Sequence, residues 1–236
     1  LEPELPGIHT RRGMAYIRLG DSQKALADFN AALQLNQNDA EAYYHRGDIY
    51  DAQREHRGAI ADFTRAIELN PDDVRFYFKR GSVAGRTGDY QGSLADFTKV
   101  IALEPNNASA YSARGLAYGA MGEYEKSVAD MTRALELHPN DAHSYMTRGA
   151  SYGGIGEYQK AIEDFTKSIE LHPKDVPAHQ MAQIHYMRGV SYLHSGELQK
   201  ATEDYQKAVE LAPEIAQTLP DYTKEGEIEK RGSAEN

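Results

Sequence analysis

The sequence predicts an all-α protein, a solenoid of six stacked helical hairpins, and three observations lead there. Six Arg-Gly pairs end at Gly13, Gly47, Gly81, Gly115, Gly149 and Gly189, and the first five of these glycines are spaced by 34 residues. A fixed period in this range marks a repeat whose units pack on their neighbours. Within each period apolar residues recur at intervals of three and four, the rhythm of a helix. Glycine and proline punctuate that rhythm at fixed places.

The first unit, residues 6–39, runs through His9, Gly13 and Tyr16 to a turn at Gly20, resumes at Ala25 and Phe29, and closes at Gln37. The second, 40–73, has Tyr43, Gly47, Tyr50, Ala59, Phe63 and Pro71, with Arg54 where the other units have the turn glycine. The third, 74–107, follows with Tyr77, Gly81, Ala84, Gly88, Ser93, Phe97 and Pro105. In the fourth, 108–141, apolar positions run through Tyr111, Gly115 and Tyr118, stop at Met121-Gly122-Glu123, and resume through Tyr124, Val128, Met131, Leu135 and Leu137. This is a helical hairpin. A residue without a side chain at Gly115 lets the first helix lie close on the second at Ser127 and Met131, Gly122 can end the first helix, and Pro139 stops the second. The fifth unit, 142–175, repeats the order with Tyr145, Gly149, Tyr152, Gly156, Ala161, Phe165 and Pro173. The sixth, 182–215, has His185, Gly189, Tyr192, Gly196, Ala201, Tyr205 and Pro213. It follows six extra residues at 176–181, where Asp175 can cap a helix and Pro177 suits its first turn. That predicts a first helix starting early and projecting by roughly 9 Å, read either as a lip on the groove or as an indel tolerated at a junction.

This succession of aromatic, Gly, Tyr, turn Gly, small residue, Phe and Pro resembles the tetratricopeptide repeat (TPR) over residues 6–215. The resemblance implies a right-handed superhelical solenoid whose first helices line a concave groove. We expect one continuous domain over 1–215 and a tail over 216–236. Thr202 replaces the apolar Leu26, Ile60, Leu94, Val128 and Ile162 of the earlier units, and Tyr205 replaces their Phe or Met, so no seventh unit is expected. The tail carries Pro220, Gly226 and Gly232 among many charges, which predicts a short covering helix near Glu214 to Leu219 and then a mobile terminus.

The charge of −10 over 236 residues argues against nonspecific nucleic-acid binding, which calls for a basic stripe, and favours a soluble protein. The absence of cysteine removes disulfides and thiolate metal sites and leaves the compartment, cytoplasm or periplasm, open. No stretch is apolar enough to span a bilayer. Leu1 in place of an initiator Met points to a processed or engineered start, so a targeting segment upstream would not be seen.

Two charged columns recur in all six units: Arg12, Arg46, Arg80, Arg114, Arg148 and Arg188, with Asp28, Asp62, Asp96, Asp130, Asp164 and Asp204. Six identical copies read as a structural ladder of ion pairs within or between units. Recognition must then come from columns that vary. The resemblance places inner-groove positions at Tyr44, Asp48, Arg75, Phe78, Lys79, Ser82 and Arg86 in the first half. In the second half it places Ser112, Leu116, Gly119, His143, Met146, Ala150, Gly153, Tyr186, Val190 and His194 there. Arg75, Lys79 and Arg86 form either a patch for an acidic or phosphorylated segment or a solvated face. The small and apolar second half offers room for an apolar helix or extended peptide, with Leu116, Met146, Ala150 and Val190 as anchors. Gly119 and Gly153 equally read as drift between units.

Chaperone-binding TPR proteins use a carboxylate clamp that begins with a Lys and Asn pair on one first helix. The corresponding places hold Thr10 and Met14, Tyr44 and Asp48, Phe78 and Ser82, or Ser112 and Leu116, so that mechanism is not expected. Gly153-Gly154-Ile155-Gly156 has no preceding strand and no following Lys-Ser or Lys-Thr, and the nine histidines show no HExxH spacing. No catalytic residue, metal site or cofactor is expected. The reading is a non-enzymatic scaffold that binds a peptide or helix of another protein, with self-assembly into homo-oligomers through terminal helices or tail as the alternative.

Overall fold

The computed structural model describes residues 6–173 and 176–214. Twelve helices and no strands occur among them: α1 Pro6–Arg18, α2 Ser22–Leu35, α3 Ala40–Ala52, α4 His56–Leu69, α5 Val74–Arg86, α6 Tyr90–Leu103, α7 Ala108–Ala120, α8 Tyr124–Leu137, α9 Ala142–Gly154, α10 Tyr158–Leu171, α11 Ala178–His194 and α12 Leu198–Leu211. The described residues gather into two compact units, one running up to Ala117 and the other from Tyr118. Packing between near neighbours alone leaves no single core through a repeat array.

Four hairpins are closed by the same contact, an aromatic ring of the second helix over a glycine of the first. Phe63 of α4 is fully buried against Gly47 of α3, and a Cβ at Gly47 would lie 2.8 Å from its ring. In the second unit Tyr205 does the same to Gly189. No side chain fits in that space. Asp21, Asp39, Asp73, Asp89 and Asp141 accept hydrogen bonds from backbone N–H groups of the helices they precede. First helices end with the N–H of the residue after the turn donating five residues back, as from Glu157 to the Tyr152 carbonyl at 2.9 Å. That geometry needs a left-handed residue, and five turns use glycine. The sixth uses Arg54 at φ 63°, which costs a side-chain-bearing residue about 1 kcal/mol.

The repeated Arg and Asp columns form the expected ladder, and its members are now specific. Arg46 donates Nε and Nη2 to both oxygens of Asp62 at 2.7 Å, and Nη1 to Asn30 of the preceding hairpin at 2.8 Å. Arg80 joins Asp96 and Thr64, Arg148 joins Asp164 and Thr132, and Arg188 joins Asp204 and Thr166 in the same way. The carboxylate arm therefore lies within a hairpin, and the third arm ties it to the one before. Asp204 is buried, which disfavours its charge. Hydrogen bonds from Arg188 and His185 outweigh that burial and hold its carboxyl below the usual range.

The extra residues before the sixth unit lengthen its first helix, but by less than the sequence implies. Helix α11 has 17 residues against 13 for α9, and begins four residues before Ala182, its counterpart of Ala142. This adds about 6 Å. Pro177 stands just outside the helix, at the N-cap rather than in the first turn. Asp175, its expected cap, and the covering helix expected beyond Glu214 lie outside the described residues.

Two stability measurements follow. Arg54→Gly should raise the unfolding free energy by about 1 kcal/mol in a urea titration, and a loss would contradict strain at that turn. A double-mutant cycle on Arg148 and Asp164, both to Ala, should show coupling on the order of 1–3 kcal/mol, whereas additive effects would remove the ladder.

Candidate functional site

In the first compact unit, helices α3 and α5 lie next to each other. The spacing of Arg75, Phe78, Lys79 and Ser82 sets these side chains along one face of α5. Four of the varied residues singled out in the sequence, Tyr44, Arg75, Phe78 and Lys79, come together on one cleft of about 310 Å³. Val74, Val100, Glu104 and Asn107 complete its lining. The floor is held by aromatic packing. Tyr44 rests against Phe76 and Phe63, with ring centroids 5.2 and 6.0 Å apart, and Phe78 meets Phe97 edge-on at 5.3 Å. Tyr44 is half-buried, which pushes its hydroxyl pKa up.

The cations of this face are not a free patch. Arg75 binds Asp73 at 2.6 Å and Glu41 of α3, Lys79 reaches Asp48 of α3 at 2.9 Å, and Arg86 pairs with Asp51. Arg75, Lys79 and Arg86 are each engaged by an acid of the preceding first helix, and each stays partly exposed. Hydrogen bonds to Asp73 and Glu41 raise the Arg75 pKa. Burial works against the charge on Lys79, and Asp48 more than offsets it. Arg75 also lies over the Tyr44 ring, 5.1 Å from its centroid. Next to this cluster, His45 stacks on Phe29, and burial lowers its pKa.

The remaining expected residues divide by environment. Ser82 turns its hydroxyl back to the Phe78 carbonyl at 2.7 Å and presents no donor to the cleft. Ser112 is half-buried on α7, and Leu116 there is 40% exposed. Gly119 is half-buried, and a Cβ there would make an ordinary contact at 3.4 Å with Ser127 Oγ, which accepts a hydrogen bond from Ser151 at 2.8 Å. Gly153 does face open space. On α9 His143 and Ala150 are exposed, while Met146 packs on the core of Ala161, Phe165 and Ile184. On α11 Val190 is half-buried, Tyr186 packs near Tyr205, and His194 stacks on Tyr158 at 4.6 Å. The second-unit residues are thus distributed between packing and solvent.

The reading of inner columns did not find Val100, Glu104 and Asn107, which come from the end of α6 and the following loop. It placed Asp48 in the groove but did not pair the cations with Glu41, Asp48 and Asp51 of the preceding first helix. Their signal was present: Glu41 and Arg75 are 34 residues apart, in one column of adjacent units with opposite charge. Among the described residues no group of three His, Cys, Asp or Glu could hold a metal ion, and no helix is long and apolar enough to cross a membrane.

Tetratricopeptide repeat family models match residues 10–74, 86–122, 108–141, 142–175 and 182–215. Tetratricopeptide repeat protein 12 of Mus musculus is 41% identical over 49 residues, which is 21% of this chain and 7% of that protein. Among solved structures, MamA of Desulfovibrio magneticus RS-1 is 24% identical with a TM-score of 0.68, covering 72% of this chain and 97% of its own. YrrB, described as a TPR protein with an unusual peptide-binding site, is 23% identical with a TM-score of 0.66, covering 81% and 98%. A tetratricopeptide repeat protein of Parabacteroides merdae is 18% identical with a TM-score of 0.72, covering 87% and 79%. With the Arg-Gly period, the glycine-seated aromatics and the repeated hairpins, these matches show that the chain belongs to the tetratricopeptide repeat family.

Proposed function

We propose that the protein is a non-enzymatic scaffold whose cleft between α3 and α5 seats a peptide or helical segment of another protein. The observation that carries this reading is the open cleft of about 310 Å³, floored by Tyr44, Val74, Phe78 and Val100 in the midst of the varied columns. A preformed apolar cleft with a charged rim binds by burying an anchor side chain, and its rigidity limits the entropy lost on association. The Arg75 and Lys79 pairs hold that rim in place before a partner arrives. The TPR fold is that of a protein–protein interaction scaffold, and the peptide-binding site described for YrrB supports a peptide as the partner here.

Self-assembly is the second reading, favoured by a separate feature. Four of the six exposed large hydrophobic residues among the described ones, Ile8, Ile17, Leu19 and Leu35, lie on the first hairpin and its turn. The last hairpin contributes Leu198 alone. Of the two terminal hairpins, a second copy would therefore meet the first.

Peptides selected from a random display library on the wild-type protein should lose about tenfold or more in affinity for Val74→Asp, which puts a charge into the apolar cleft. The same peptides should keep their affinity for Ala150→Glu in the second unit. Undiminished binding to Val74→Asp would move the site elsewhere. For self-assembly, light scattering should show a mass that rises with concentration and falls on Leu19→Glu with Leu35→Glu; a constant monomer mass would exclude it.

A further inference from the structure

The occupant of this cleft can be narrowed by the charges around it, an inference that rests on the cleft reading above. Glu41, Asp48, Asp73 and Glu104 stand in or directly against the cleft beside only two cations, Arg75 and Lys79, a local excess of two negative charges. Both cations are already satisfied by three of those acids. An incoming carboxylate would have to displace an existing ion pair, whereas an incoming cation would not.

The excess has a direction. A second depression of about 470 Å³ adjoins the cleft, since Val74 and Glu104 line both. Its other residues are Asn70, Asp72, Asp73 and Leu103, with no basic side chain among them. Asp72 is exposed, and Glu104 is exposed and steadied by the Asn107 amide at 2.7 Å. The path from Phe78 across Val74 to Glu104 thus passes from an apolar floor to a carboxylate-lined hollow.

We propose that the partner segment carries a large apolar residue followed closely by lysine or arginine: the apolar side chain fills the Tyr44, Phe78 and Val100 cleft, and the basic one reaches Asp72 and Glu104. This is opposite in sign to the acidic segment that Arg75, Lys79 and Arg86 alone would imply. Charge complementarity of this kind acts on association rate and on rejection of wrong partners.

The test uses four fluorescent peptides on one Gly/Ser host: Phe-Leu followed by two lysines, by two glutamates or by two glutamines, and a lysine peptide with Phe-Leu replaced by serines. At about 50 mM salt the first should bind about tenfold more tightly than the glutamate peptide, with the gap closing in about 500 mM salt. The glutamine peptide should fall between, and the serine peptide should not bind. Asp72→Asn with Glu104→Gln, both exposed and compatible with an unchanged melting curve, should remove the lysine preference and leave glutamine-peptide binding in place. Equal or tighter binding of the glutamate peptide, or a lysine preference that survives both substitutions, would overturn the charge assignment alone. No saturable binding by any peptide would overturn it together with the cleft reading. A homodimer dispersed by the glutamine and lysine peptides alike would assign the cleft to a second copy and overturn it too.

Discussion

The ring that the second helix of a hairpin presses onto bare backbone in the first, Phe63 onto Gly47 and Tyr205 onto Gly189, fixes how far apart the two helices stand. Everything else in the hairpin follows from that distance. Only with the helices this close can Arg46 place its fork on both oxygens of Asp62, and Arg188 on Asp204. The third arginine arm then reaches back to Asn30 or Thr166 of the hairpin before, so the contact that closes one unit also orients it on its predecessor. A buried aspartate with both oxygens bound in this way is costly to orphan, which explains why the column tolerates no exception among six units.

Because those columns are occupied by packing, chemistry is left to the ones that vary. On α3 and α5 the varied residues do two things at once. The charged ones pair across the helices, Glu41 with Arg75 and Asp48 with Lys79, and the aromatic ones leave a cleft between them. The pairing makes the rim rigid and removes its cations from competition for an acidic ligand. The carboxylates of Asp72 and Glu104 line the adjoining hollow, whose lining includes no basic residue. In the second unit the same columns are treated differently: Met146 joins the core, His194 stacks on Tyr158, and a bare Gly154 lies beneath Tyr124.

The fold was legible in the sequence because its determinants repeat. The period, the turn glycines and the aromatic columns each appear at fixed offsets, and the one irregular turn, Arg54, is visible as a substitution in a known column. The site was legible only in part. Tyr44, Arg75, Phe78 and Lys79, which line the cleft, were singled out because they stand in first-helix columns that differ from unit to unit. Asp48 was singled out too, but the ion pairs were not seen because a column was read down one unit at a time, while Glu41 and Arg75 act across two. Val100, Glu104 and Asn107 were missed because the end of a second helix is not an inner-face position. Gly119 could not be assigned from sequence because lack of a side chain signals close packing as readily as open space, and only the position of Ser127 bears on it.

The most direct measurement is an amide chemical-shift map of the isotope-labelled protein titrated with a selected peptide. The account predicts that the largest shifts fall on α3 and α5 around Tyr44, Val74 and Phe78 and on the segment from Val100 to Asn107, with the repeated Arg and Asp columns little changed. Shifts concentrated on α9 to α12, or spread evenly along the repeated columns, would contradict it.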